Sequence, residues 1–169
     1  VSQVSYDENL PFGVDIRLSE DIQSGTIYEL RVQNVSDIVG NILNSETVSF
    51  KLLEAPAEGD LIINEILFDP FQDAEDFVEI YNPSSKFLSL DGVWIANLDK
   101  EEEERLNPGL EIAPGSYLAF SPIIDALQDH YIILDSEALI EQALPSFNNE
   151  SGNVSLRYKT PEETLLIDA

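Results

Sequence analysis

Carboxylates are the groups in this sequence best placed to do chemistry. Glu65 lies in the run Leu61–Phe68 (LIINEILF) and Glu79 in Phe77–Asn82 (FVEIYN). As a strand, the second run points Val78 and Ile80 one way and Phe77, Glu79 and Tyr81 the other. The stretch between them, Asp69–Asp76 (DPFQDAED), can close an antiparallel hairpin. If Phe68 pairs with Phe77, Glu65 and Glu79 fall within about one residue of each other across the ladder. Two carboxylates that close repel, and each raises the other's pKa unless a cation intervenes. Such a pair could hold a cation or act as acid and base. It could also be structural, each carboxylate accepting hydrogen bonds or pairing with Arg or Lys. The structural role is the reading we prefer.

The loop itself carries Asp69, Asp73, Glu75 and Asp76. Calcium takes six to eight oxygens, often from closely spaced carboxylates. The loop could supply them, although its spacing is not that of an EF-hand. A solvated acidic loop is the simpler reading, with calcium as the only cofactor the sequence raises. Asp99–Arg105 (DKEEEER) reads as a solvated charge run in a loop or helical turn. His130 is the single histidine, and no nucleophile motif surrounds any serine, so triad chemistry has no support. Trp94 would be a sugar platform if exposed, and is expected in the core.

The composition narrows the partners. Eight Lys and Arg stand against 33 Asp and Glu, a formal net charge of −25 over 169 residues. The eight cations are scattered singly. Binding a nucleic acid normally needs a basic patch that displaces counterions, so nucleic acid is not an expected partner. An anionic membrane surface is disfavoured for the same reason. No run approaches the ~18 apolar residues of a membrane span. There is no Cys, which excludes disulfides and thiolate metal sites. There is no Met either, and the chain opens on Val1. A piece of a longer protein is expected, with any signal peptide upstream.

The elements that must position these groups are short strands between turn signals. Thr26–Val35 (TIYELRVQNV) alternates, and Thr47–Leu53 (TVSFKLL) follows a turn at Gly40-Asn41. Glu54–Asp60 (EAPAEGD) has no periodicity and reads as a linker. Strands resume at Leu61 and continue through Phe87–Asn97, Leu110–Ser121, Asn153–Lys159 and Thr164–Ala169. Two stretches break the rhythm. Ser121–Tyr131 (SPIIDALQDHY) has Ser before Pro122 as a helix start, and Asp135–Leu144 (DSEALIEQAL) has helix-forming content.

The ordered pieces INEI (63–66), FVEIYNPS (77–84), LSLDGVWI (88–95), IAPGSYLAFS (112–121), LPSFNNESGNVSL (144–156) and a terminal IDA resemble the lamin tail domain. The likeness runs from Leu61 to Ala169 and looks closest to bacterial members. It implies an Ig-like β-sandwich, and an accessory module of secreted or surface proteins. Ser24–Leu43 and the strand ending at Phe50 resemble the C-terminal half of a bacterial Ig-like domain.

The expected architecture is therefore all-β: a partial Ig-like segment at 1–54, a linker at 55–60 and a lamin-tail-like sandwich at 61–169. The expected function is a non-catalytic interaction module of a larger secreted or surface-anchored bacterial protein. Its partner would be a protein or a glycan, with other domains of the parent chain alongside. A carbohydrate-binding module, with or without calcium, is the alternative. A hydrolase built on Glu65 and Glu79 ranks third.

Overall fold

The computed structural model describes residues 1–6, 13–37, 39–71, 73–133, 135–150 and 152–169. The chain divides into two units, Val1–Leu52 and Leu53–Ala169.

The first unit consists of two antiparallel hairpins, β1 (Gln3–Tyr6) with β2 (Val14–Arg17) and β3 (Ile27–Ser36) with β4 (Ile42–Lys51). Asp37 builds the second turn, its carboxylate accepting from the Val39 and Asn41 amides at 2.9 and 2.8 Å. Gly40 holds φ at +93°, a conformation side chains with a Cβ rarely adopt. Tyr28 and Phe50, paired across the ladder, stack with centroids 5.5 Å apart. None of the described residues of this unit is buried. The first half of β3 alternates between exposed and half-buried residues, as the sequence predicts, but the described residues enclose no core of their own.

The second unit holds β5 (Leu53–Glu54), β6 (Ile62–Leu67), β7 (Phe77–Tyr81), β8 (Phe87–Ser89), β9 (Val93–Asn97), β10 (Glu102–Arg105), β11 (Glu111–Ile112) and β12 (Tyr117–Ser121). A helix α1 (Ile124–His130) and a 3-10 turn (Ser136–Ala138) follow, then β13 (Leu139–Glu141), β14 (Ser155–Lys159) and β15 (Thr164–Asp168). They form sheets ordered β10-β9-β14-β15, β13-β12-β7-β6 and β11-β8-β5. The fold is an all-β, Ig-like sandwich, as the sequence predicts. Alternate residues of facing strands fill its interior: Val78 and Ile80, Val93 and Ile95, Phe120, Leu156 and Ile167 are buried together. Each such side chain contributes about 1.5–3 kcal/mol on leaving water.

Four local expectations need correction. The helix expected at Asp135–Leu144 is a single 3-10 turn followed by β13, which pairs in parallel with β12. Helix propensity yields because Leu139 buries against the sheet in extended form. Ser121 does not start α1. It ends β12, is buried, and its hydroxyl donates to the Asp76 carbonyl at 2.9 Å. The acidic run 99–105 is not a loop over its second half, since Glu102–Arg105 forms an edge strand on β9. Trp94 is not in the core. Val93 and Ile95 are, which turns the half-buried indole to the outer face. There Lys159 Nζ lies 4.4 Å from its ring centroid, and Glu103 holds both Lys159 and Arg157.

Residues 55–60 are bound into the second unit. Asp60 is buried, and its carboxylate accepts from the Ala57 amide at 2.9 Å and from Lys86 Nζ at 2.7 Å. The Asp60 carboxylate raises the pKa of Lys86. Gly59 N–H donates to the Ile167 carbonyl at 3.2 Å, and β5 pairs in parallel with β8.

Asn82, just after β7, is fully buried and organises three chain segments. Its amide nitrogen donates to the carbonyls of Lys86, Ile112 and Ala113 at 2.9, 3.3 and 3.1 Å. Its side-chain oxygen accepts from the Ser84 amide and hydroxyl at 2.9 and 2.7 Å. The N-P-S of FVEIYNPS is thus a turn built around one asparagine. Gln142 plays the same part at the other end, joining Arg105 and Ala143 carbonyls to the Asn107 amide.

Candidate functional site

The β6–β7 hairpin sets Glu65 and Glu79 directly opposite each other. The pairing is off by one residue from a Phe68–Phe77 register: Leu67 faces Phe77. The reason lies in INEI. Ile63 and Ile66 are three apart, so a regular strand would turn only one of them to the core. Both pack there because the ladder shifts between Ile63 and Glu65. Asn64 is the extra residue of this β-bulge, which bends the strand and re-aims its side chain. The Asn64 amide then donates to Glu79 Oε1 at 2.7 Å. The bulge also leaves Ile63 N–H to donate to Asp168 Oδ2 at 2.7 Å, tying β6 to β15.

Across the outer face of this sheet, Leu139, Ala119, Glu79 and Glu65 form one row. Ala119 is the small member. Above the row pass α1 and the segment after it, and between them lies a cavity of about 620 Å³. Glu65 and Glu79 line it from the sheet, as do Leu67, Phe77 and Tyr117. Tyr131, Ile132 and Ile133 line it from the covering segment, with Asp135 beside them. Tyr131 is fixed by its hydroxyl, which accepts from the Phe71 amide at 3.4 Å, and by ring contact with Phe71 at 5.5 Å. Asp135 is occupied as the cap of the 3-10 turn, accepting from Glu137 N–H at 3.0 Å. Tyr117 is 44% exposed and stacks on Tyr81 with centroids 4.5 Å apart. The groove is therefore apolar in its walls, and its charged groups among the described residues are carboxylates.

The acidic loop does not converge. Asp69 accepts from Asn149 Nδ2 at 3.1 Å. Asp76 is half-buried, and burial pushes its pKa up, helped by the charges of Glu75 and Asp69. Among the described residues, no three carboxylate, histidine or cysteine side chains gather closely enough to hold a metal ion. Asp69, Asp73, Glu75 and Asp76 form no such group there. His130 ends α1 and lies against the Phe71 ring at 5.8 Å, away from any nucleophile motif. What the sequence reading missed is the bulge, and with it Asn64 as the donor to Glu79. The spacing of Ile63 and Ile66 was the available signal.

Sandwich, short strands and an outward-facing groove define an Ig-like domain. Residues 54–168 match the family model for the Lamin Tail Domain, and the chain belongs to that family. It is a family of Ig-like domains, compatible with an interaction module. No curated protein and no solved structure matches the chain. Among the described residues, no helix is long and apolar enough to cross a membrane.

Proposed function

We propose that the chain is a non-catalytic interaction module of a larger secreted or surface-anchored bacterial protein, serving adhesion, spacing or substrate targeting. The observation that carries this reading is the groove between the sheet and the α1 segment. Its described lining joins apolar walls to a few charged groups, all of them carboxylates. Such a surface suits binding. Family membership supports it, since Ig-like domains present surfaces on a rigid scaffold. The strongly negative charge favours a basic partner over a polyanion.

The test is retention. The chain fused to a fluorescent reporter is incubated with envelope preparations from its source organism. Saturable retention through the module is expected. Retention no greater than that of the reporter alone refutes the reading.

A second reading, a carbohydrate-binding module, draws on Tyr117, an exposed ring stacked on Tyr81 at the groove. It predicts glycan-array binding that Tyr117→Ala abolishes. The hydrolase reading would need turnover that Glu79→Gln removes.

A further inference from the structure

We infer that the groove over the β12–β7–β6 face seats a lysine or arginine side chain of a protein partner, flanked in that partner by aliphatic residues. The inference rests on the interaction-module reading and names the partner chemistry at its groove.

Charge complementarity identifies the occupant. Glu65 and Glu79 are cross-strand neighbours on one face, where like charges destabilise the ladder. Asn64 relieves one oxygen of Glu79. Among the described residues, Glu65 accepts no hydrogen bond and pairs with no cation. The described lining of the groove contains no cationic side chain at all. A positive group placed between the two carboxylates turns the repulsion into attraction.

The walls specify the rest of the ligand. Leu67, Phe77 and Ile133 would cover an aliphatic stem, and Tyr117 and Tyr131 add aromatic surface to the same lining. Lysine and arginine join such a stem to a positive head. A bare metal ion fits poorly, because two carboxylates fall far short of a calcium shell. A small amine would leave much uncovered. Ile132, at the rim, is 91% exposed, so the apolar surface continues beyond one side chain. A polypeptide with aliphatic neighbours beside its cation covers that rim as well.

The probe is a capped tripeptide with lysine between two leucines, titrated into the full chain and followed by NMR. The expected result is perturbation at Glu65, Glu79, Tyr117 and Ile133. Affinity should fall at least tenfold when norleucine or acetyl-lysine replaces lysine. It should fall equally in the isosteric double variant Glu65→Gln/Glu79→Gln, whose folding is checked by its spectrum. Equal binding of the norleucine peptide, or undiminished binding by the double variant, overturns the inference. So does perturbation at Tyr81 and Tyr117 by oligosaccharide with none by peptide. Envelope retention of the double variant separates the two readings: retention kept after peptide binding fails refutes the groove but leaves the module.

Discussion

The Asn64 amide reaches across the β6–β7 ladder to Glu79 Oε1 at 2.7 Å, and it can do so because Asn64 is the surplus residue of a bulge. Without that donor, Glu79 would face Glu65 unrelieved. Asn64→Ala is expected to cost about 1 kcal/mol, the net value of one hydrogen bond. Asn64→Asp should cost more, since it adds a third negative charge. Urea denaturation of both variants measures the difference, and equal stability of Asn64→Asp and wild type would contradict the relationship.

Asn82 predicts a much larger effect. Asn82→Asp replaces the donor to the Lys86, Ile112 and Ala113 carbonyls with an acceptor inside a fully buried site. Each stranded buried group costs about 1–3 kcal/mol, so a loss of about 3 kcal/mol or more is expected. A thermal melt decides it. A loss below about 1 kcal/mol would mean that the turn at 82–86 is held by something else.

Asp76 sets the sign of one pH effect. Burial, with Glu75 and Asp69 nearby, raises its pKa in the folded state. Its charged form is therefore disfavoured by folding at neutral pH. That penalty disappears as pH falls through the raised value, so this group's contribution improves on acidification. Glu102 has the opposite sign: hydrogen bonds from the Ser146 hydroxyl and amide lower its pKa. Its contribution is present above the ordinary glutamate range and is lost as pH falls through the lowered value. Asp76→Asn should raise the neutral-pH melting temperature, and the gain should shrink on acidification. Carboxyl NMR titration should place Asp76 above and Glu102 below their ordinary ranges.

Trp94 gives a fourth prediction, and a convenient one, since it is the sole tryptophan. On the outer face beside Lys159, it should be partly open to acrylamide quenching. Lys159→Ala should increase that quenching. Trp94→Ala should cost less than the roughly 3–5 kcal/mol of a core tryptophan. A fully protected indole would return it to the interior.

Much of this arrangement is legible before the fold is known, because alternation marks which side of a strand meets the core. Val78 and Ile80 against Phe77, Glu79 and Tyr81 is such a pattern, and it places Glu79 outside. The pairing of Glu65 with Glu79 follows from the hairpin between them. Alternation alone does not say which of two apolar sets goes inward. Trp94 lost to Val93 and Ile95 because the strand beside it, β14, supplies Leu156 on that side. Propensity misleads at Leu139–Glu141, where pairing with β12 is a tertiary fact. Asn82 and Gln142 are invisible for a related reason. Most of their partners are backbone groups, several of them from distant segments, and no side-chain pattern records those.

The pairing of β9 bears on how the domain assembles in time. One neighbour, β10, follows it immediately, Asn97 facing Glu102. The other is β14, whose Ser155 pairs with Ala96 only after most of the domain has been made. Local hairpins close quickly, whereas contacts between remote segments set the pace of β-proteins. The β6–β7 and β9–β10 hairpins are thus expected to form first. The sandwich closes only when β14 and β15 join it, and until then the apolar side of β9 lacks the cover that Leu156 supplies, a face open to aggregation.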